Sequence, residues 1–330
     1  MTFSLAGVLT SIPSPPISDF QIGPFPLRIY ALCIIVGIVL AAVMTNRRLT
    51  VRGAEPWAVI DICIIAVPLA IIGARIYHVA THPGFYFGAG ANTWNVFQTG
   101  SVWAIWEGGI AIYGALIGGA VGAWLGCKWT GIRFSAFADA LAPGMLLAQA
   151  IGRLGNWFNQ ELFGLPTDLP WGLEIPSTNA AFPPGLPDGT LFHPTFLYEI
   201  VWNALGVVVL LWAGRRFVLQ WGRLFALYLV WYSAGRIVWE SIRIDPSEII
   251  LGLRTNVWAA IIGVVLGLAI LLVQRRRHLG LEPSPYVPGR EWTPERAVES
   301  QDTDDFVDVS EPPAGEADTP KSVTSPQAQQ

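Results

Sequence analysis

The sequence predicts an all-α polytopic membrane protein of seven transmembrane helices with a small exoplasmic cap. Three observations carry that prediction. Charge is scarce: the 330 residues are 52% hydrophobic and only 13% charged, about half the usual share of about 25%. Seven runs approach the ~20 mostly apolar residues needed to cross a hydrocarbon core. Basic residues also collect in alternate loops between those runs.

The elements follow in chain order. Residues 1–26 hold five prolines and no Lys or Arg. Lacking the basic start of a signal peptide, they read as an exoplasmic N-terminal segment. Spans are expected at 27–45, 57–79, 105–126, 136–157, 195–213, 224–242 and 256–273, within a seven-helix membrane domain covering 27–278. Arg47, Arg48 and Arg52 follow the first span, and Lys128 and Arg133 the third. Arg215, Arg216 and Arg223 follow the fifth, and Arg275, Arg276 and Arg277 the seventh. If the spans alternate, all eleven fall on one side, while loops 80–104 and 158–194 carry no Lys or Arg. The positive-inside rule then sets the N-terminus outside and the C-terminus in the cytoplasm, with Arg243 and Arg254 against the trend. Loop 158–194 is long and rich in Pro and Gly, which favours an exoplasmic cap over a plain connector. Residues 279–330 hold 11 acids against 3 bases and few apolar groups, and read as a disordered acidic cytoplasmic tail. In the third span, Gly114, Gly118, Gly122 and Gly126 form one stripe on which another backbone can lie close.

Charges inside spans point to chemistry. An Arg near mid-span costs about 2.5–3.5 kcal/mol on insertion scales. Arg75, Arg153 and Arg236 lie in the C-terminal halves of spans 2, 4 and 6, so all three are expected at one depth in the outer half of the bilayer. Snorkelling, or a structural ion pair, is the plain alternative for each. Arg153 and Asn156 share a helix face, as do Arg236, Glu240 and Arg243. Guanidinium groups are suited to forked hydrogen bonding of phosphate, so an outer-leaflet cavity with several Arg suggests an anionic lipid headgroup. Cys33, Cys63 and Cys127 read as small buried hydrophobes. His78, His82, His193 and His278 lack metal-ligand spacing. No metal, cofactor or nucleic-acid signature appears, and Asp61 and Asp139 read as interfacial residues near inner span ends.

At residues 152–164 the run Gly-Arg-Leu-Gly-Asn-Trp-Phe-Asn-Gln-Glu-Leu-Phe-Gly, continued by Pro-Thr-Asp-Leu-Pro-Trp-Gly at 166–172, resembles the signature of bacterial prolipoprotein diacylglyceryl transferases. Shorter matches are Leu-Arg-Ile-Tyr at 27–30, Gly-Ala-Arg at 73–75, Trp-Glu-Gly-Gly at 106–109, His-Pro-Thr-Phe-Leu-Tyr-Glu at 193–199 and Gly-Arg-Ile-Val-Trp-Glu at 235–240. The resemblance covers roughly residues 20–275. It implies a seven-span plasma-membrane enzyme that moves the diacylglyceryl group of phosphatidylglycerol to the lipobox cysteine of a prolipoprotein. A thioether forms and glycerol phosphate leaves; no cofactor is needed, and a monomer is expected. Carried over by position, Tyr30, Arg153, Asn156, Glu161, Gly164, Arg236 and Glu240 match functional positions. Arg153, Arg236, Glu240, Tyr30 and Tyr113 are the expected catalytic set. Arg153, Asn156, Glu161, Gly164, Arg75 and Arg236 are the expected phosphatidylglycerol contacts.

One departure bears on mechanism. Many members have His in the pattern Trp-Glu-Gly-Gly-x-x-x-His-Gly, where this chain has Tyr113. Either Tyr113 serves, or the base lies elsewhere, or the His role is not general. Two other functions suit buried charge in a membrane: a lipid or anion transporter, and a lipid-binding scaffold without activity. A transporter is expected to show two related halves, and no internal repeat is visible.

Overall fold

The computed structural model of the chain describes residues 11–22, 25–88, 93–96, 98–105, 108–278 and 280–293. Its contacts divide it into two units, 1–291 and 292–330. The first carries every described helix and strand. Of the second only residues 292 and 293 are described, so most of the expected tail lies outside the described residues, as do residues 1–10.

The described chain is all-helical apart from short two-stranded ribbons. Strand β1 (Asp19–Ile22) pairs antiparallel with β2 (Phe25–Arg28) and leads into α1 (Ile29–Val51), α2 (Ala58–Thr81) and the short α3 (Pro83–Phe87). Then come α4 (Ile112–Thr130), α5 (Phe134–Phe158) and the ribbon of β3 (Leu173–Glu174) with β4 (Leu191–Phe192). Helices α6 (Thr195–Arg216) and α7 (Arg223–Ser241), the ribbon β5 (Ile249–Ile250) with β6 (Leu253–Arg254), and α8 (Thr255–Arg277) complete the order. Five helices, α1, α2, α5, α6 and α8, are long and apolar enough to cross a membrane. The other two long ones are 19 residues each: glycines dilute α4, while Arg223, Arg236 and Glu240 interrupt α7. All seven runs expected from the sequence coincide with long helices. The third starts late, at Ile112 rather than 105, because Gly108 and Gly109 take positive φ (97° and 71°) and turn the chain before the helix.

Exposed positions are apolar, the reverse of a soluble protein. Ile34, Ile35 and Ile38 on α1, Ile64 and Ile76 on α2, Val208 on α6 and Ile262 on α8 all face outward. The inward contacts are made by small residues. A Cβ on Gly114 would sit 2.2 Å from the Gly73 carbonyl, and one on Gly118 would sit 2.1 Å from that of Leu69. Gly122 and Gly126 meet Ala66 and Ile62 in the same way, so α4 lies against α2 along the whole glycine stripe. Where α6 crosses α7, Trp202 and Trp231 stack with centroids 4.5 Å apart. Each indole donates to the other's carbonyl at 3.1 Å, and each ring covers a glycine, Gly235 or Gly206.

The basic loops gather at one end of the bundle. There Asp139 of α5 accepts from the backbone N–H of Gly222 (2.8 Å) and Phe225 (2.9 Å), capping the start of α7 from a neighbouring helix. Residues 280–291, the beginning of the expected tail, are packed against this end. Glu282 is buried and ion-paired with Arg52 and, at 3.9 Å, Arg133. The backbone N–H groups of Arg133 and Val287 donate to Pro285 and Gly131 at 2.7 and 2.9 Å. The Tyr286 hydroxyl accepts from the Glu55 N–H at 2.9 Å, and its burial pushes its pKa up. Residues 159–194 fold at the other end around their own apolar cluster of Phe163, Leu173, Ile175 and Phe192, backed by Phe196 of α6.

Candidate active site

The end opposite the basic loops holds a chain of charges contributed by several helices. Arg153, near the end of α5, donates from Nη1 to Asn156 Oδ1 (3.1 Å), and its Nη2 lies 2.6 Å from Glu199 Oε2 on α6. The same carboxylate oxygen is 3.9 Å from Arg236 Nη1 on α7. Arg236 Nη2 in turn lies 2.8 Å from Glu240 Oε2 one turn later. Glu240 is 0% exposed, so its charge persists only because partners surround it. Besides Arg236, it meets Arg243 Nη1 (3.3 Å), Arg254 Nε (3.0 Å) and the Asn256 amide (3.0 Å). Asp245 closes the far side, taking the Arg243 fork through Nε at 2.7 Å and Nη2 at 2.8 Å. Burial works to lower the Arg243 pKa, but its hydrogen bonds to Asp245 and the nearby Glu240 charge outweigh it, and the pKa lies above its ordinary value.

The signature run at 152–164 acquires a local explanation. After α5 ends, Gln160 and Leu162 adopt positive φ (52° and 60°), a conformation that costs a non-glycine residue about 1–2 kcal/mol. The turn brings Glu161 back so that Oε1 accepts from Asn156 (2.9 Å) and Asn159 (3.1 Å). Asn156 is thus fixed by a carboxylate on one side and a guanidinium on the other. Gly155 is needed because the Tyr30 ring lies on it: a Cβ there would come 2.4 Å from Tyr30 Cδ2. Gly164 is needed because its backbone bridges Arg243, and a Cβ would press on His193 and the Ile242 carbonyl. Tyr30 and Gly164, both expected from the sequence, therefore join parts of the site by close packing. Tyr113, the second residue of α4, donates to Asn256 Oδ1 at 3.3 Å, which ties it through Asn256 to Glu240.

Arg75 departs from the expected set. It does not meet Arg153 or Arg236. Its guanidinium donates to the carbonyls of Ser101, Val102, Gly108 and Gly109 at 2.6–3.2 Å and lies over Tyr86. Four of its five N–H groups are committed to the loop before α4, so its job there is to hold that loop. Trp106 and Glu107 of the Trp-Glu-Gly-Gly match lie outside the described residues. Glu199 was not singled out from the sequence, and neither were Asp245 and Asn256. Arg243 and Arg254 looked like strays from the positive-inside pattern, yet they are counter-ions of Glu240 and Asp245. A carboxylate in an apolar span and two basic residues on the wrong side were the available signals.

A crevice too tight for a water molecule lies against this charge chain. It sits beside Arg236 and is lined by Glu199, Trp202, Asn203, Tyr232, Gly235 and Trp239. Trp202 and Trp239 also line an apolar groove of about 430 Å³ between α6 and α7, completed by Trp171, Leu197, Tyr198, Val201 and Leu205. Arg236 Nη1 is buried without a hydrogen-bond partner among the described residues, a group that favours an incoming acceptor. Among the described residues no three His, Cys, Asp or Glu side chains are grouped to hold a metal ion. The three cysteines lie on α1, α2 and α4, none of which contributes a charge to this chain.

Comparison with known proteins adds to this geometry. A family model described as prolipoprotein diacylglyceryl transferase matches residues 18–273. The chain is 65% identical over 302 residues to the phosphatidylglycerol–prolipoprotein diacylglyceryl transferase of Leifsonia xyli subsp. xyli, covering 90% of each protein. It is 47% identical over 274 residues to an enzyme of that name from Streptomyces coelicolor, covering 83% of this chain and 84% of the relative. A third, from Cutibacterium acnes, is 48% identical over 268 residues, covering 81% and 88%.

Proposed function

The chain belongs to the prolipoprotein diacylglyceryl transferase family, and from that premise we propose that it transfers the diacylglyceryl group of phosphatidylglycerol to the lipobox cysteine of a prolipoprotein. It is a multi-pass membrane enzyme. The observation that carries the site assignment is the buried chain Arg153–Glu199–Arg236–Glu240, in which Arg236 Nη1 makes no hydrogen bond among the described residues and lies beside a crevice that adjoins an apolar groove. The chemistry of that nitrogen suits a lipid phosphate once the crevice widens, and that of the aromatic groove suits acyl chains.

In the reaction a carbon–sulfur bond forms as the glyceryl carbon–oxygen bond breaks. The electron pair of the broken bond leaves on glycerol phosphate, and the thiol proton goes to a base. Charge grows on phosphate as the bond breaks, so fixed guanidinium donors in a dry site favour the transition state over the bound lipid. Arg153 and Arg236 are those donors. Glu199, shared between them, sets their spacing, and Glu240 holds Arg236 from below. Asn156, pinned by Glu161, presents its amide beside Arg153. The peptide supplies the nucleophile, which accords with the absence of an enzyme cysteine among these residues. Tyr113 donates its proton to Asn256 and acts as an orienting group.

The seven long helices are assigned as seven spans, with the N-terminus outside, residues 159–194 as an exoplasmic cap and the basic loops in the cytoplasm of a plasma-membrane protein. The contact of α4 along α2 from Gly114 to Gly126 supports counting α4 as a full span, and the gathering of basic loops at one end supports the direction. A tag at residue 180 is expected to be reached from outside intact cells; a tag reached only after lysis overturns the orientation. For the activity, purified protein is incubated with phosphatidylglycerol and a lipobox peptide. The expected product is a peptide heavier by one diacylglyceryl group. Transport of the lipid without any mass gain would favour the transporter reading.

A further inference from the structure

The basic end of the bundle contains a cavity that the transfer reaction does not use. It measures about 630 Å³ and lies between the C-terminal ends of α1 and α6, beside α5. Its upper walls are apolar: Leu40, Val43 and Met44 from α1, Leu147 from α5 and Leu211 from α6. Its mouth carries Arg47, Arg48, Arg52 and Arg215. A loop that only obeys the positive-inside rule needs water around its arginines, whereas these four surround a concave space continuous with a lipid-facing surface.

The charges there are not balanced. Both oxygens of Asp139 are occupied by the backbone N–H groups that start α7, and Glu282 is occupied by Arg52 and Arg133. Among the described residues Arg47, Arg48 and Arg215 form no ion pair with a carboxylate. Arg48 donates from Nη2 to the Asp139 carbonyl at 3.3 Å, but its Nε is buried without a hydrogen-bond partner. Three of the four guanidinium groups at the mouth therefore lack a carboxylate partner, which leaves net positive charge over a pocket with hydrocarbon walls. Water satisfies a guanidinium but gains nothing from those walls; an acyl chain suits the walls but leaves the buried nitrogen unpaired. A molecule with both parts satisfies the whole cavity.

We infer that this cavity is a second lipid site, separate from the active site, that holds the phosphate headgroup of an anionic phospholipid while its acyl chains lie against α1 and α6. Basic pockets between transmembrane helices on the cytoplasmic side take such headgroups. Three unpaired guanidinium groups favour a doubly charged headgroup over a singly charged one. Assignment to the cytoplasmic leaflet rests on the proposed orientation; the preference for an anionic lipid does not.

The test uses the full-length protein, purified and stripped of lipid in neutral detergent. It is titrated with cardiolipin, phosphatidylcholine or inorganic phosphate while melting temperature and bound lipid are followed. Cardiolipin avoids confusion with the substrate lipid. Saturable binding of cardiolipin is expected, with neither phosphatidylcholine nor phosphate matching it. The double substitution Arg47→Gln with Arg215→Gln lies at exposed helix ends and is expected to leave the lipid-free melting temperature unchanged. It is expected to weaken cardiolipin binding roughly 25-fold, about fivefold per arginine removed beside an anionic lipid. Arg48→Gln is expected to weaken it similarly or more, read on whatever folded protein it yields. Arg153→Lys, at the other end, is expected to keep wild-type cardiolipin affinity even where it loses transferase activity, so failure of either assignment is seen apart from the other. Unchanged cardiolipin affinity in the double variant overturns the inference. So does phosphate protecting as well as lipid, phosphatidylcholine binding as tightly, or an affinity lost in Arg153→Lys.

Discussion

The two ends of this bundle use arginine in opposite ways. At one, Arg153, Arg236, Arg243 and Arg254 are matched by Glu199, Glu240 and Asp245, and each guanidinium touches a carboxylate. At the other, Arg47, Arg48 and Arg215 face a cavity and form no ion pair with a carboxylate among the described residues. The difference follows from burial. A charge enclosed by protein must be neutralised and hydrogen-bonded or it costs several kcal/mol, while a charge at the membrane surface keeps its water. Arginine at the enclosed end therefore has a fixed direction, set by its carboxylate, and fixed direction is what a departing phosphate requires. The exposed Arg47 and Arg215 at the open end supply field, which any nearby cation supplies as well.

The largest expected effect breaks that contrast directly. Arg153 spreads its two terminal nitrogens between Asn156 and Glu199, and Arg236 spreads its own between Glu240 and Glu199. Lysine keeps the charge but cannot bridge two partners along one plane. Arg153→Lys and Arg236→Lys are each expected to lose on the order of 10²-fold in single-turnover rate, as when one oxyanion donor is removed, with melting temperature close to wild type. Arg47→Lys at the open end is expected to leave turnover unchanged. A well-folded Arg153→Lys or Arg236→Lys with near wild-type turnover would remove that residue from the role of phosphate donor.

What the sequence disclosed divides along the same line. The helices were legible because apolar runs and the glycine stripe from Gly114 to Gly126 are properties of single segments. Arg153 and Arg236 were legible because arginine in an apolar run is costly wherever it points. Glu199 was not, since one acidic residue near a helix start has an ordinary interfacial explanation, and only the fold puts it between two arginines. Arg75 was misplaced for the converse reason. Its partners are backbone carbonyls of residues 101–109, and a carbonyl leaves no trace in composition. The tail posed a third problem. An average over 52 residues reads as uniformly acidic and polar, which conceals Glu282 and Tyr286 making specific buried contacts.

That last point yields an intermediate effect, confined to the open end. Truncation after residue 293 keeps the packed segment and is expected to leave melting temperature and turnover unaltered. Truncation after residue 279 also removes Glu282, Pro285 and Tyr286, and with them the contacts to Arg52, Arg133 and the Glu55 N–H. A charge-assisted hydrogen bond contributes about 1.5–3 kcal/mol, so melting temperature is expected to fall by roughly 5 °C. Turnover at a temperature where the protein stays folded is expected to persist, because no removed residue touches the charge chain. If the shorter protein melts like the full chain, the packed segment contributes nothing to stability; if it folds well but is inactive, the two ends are coupled.

The smallest effect concerns Tyr113, and it tests whether the enclosed end moves a proton through a phenol. The Tyr113 hydroxyl donates to Asn256 Oδ1, and the Asn256 amide donates to Glu240 Oε1, so the proton of Tyr113 is directed away from any carboxylate that might take it. The ring also packs near Tyr77, with centroids 6.0 Å apart, a contact that phenylalanine preserves. Tyr113→Phe therefore deletes one neutral hydrogen bond and nothing else. Such a bond is worth about 0.5–1.5 kcal/mol, and if all of it bears on Glu240, and through Glu240 on Arg236, turnover falls about two- to tenfold. The pH profile is expected to keep its shape, because an orienting hydroxyl does not titrate during the reaction. A proton carrier predicts otherwise: turnover lost by orders of magnitude, or a limb missing from the pH profile, in protein that melts normally. Tyr286→Phe supplies the matching control at the open end. It removes one acceptor, from the Glu55 N–H, and is expected to lower melting temperature slightly while turnover and its pH profile stay as they are.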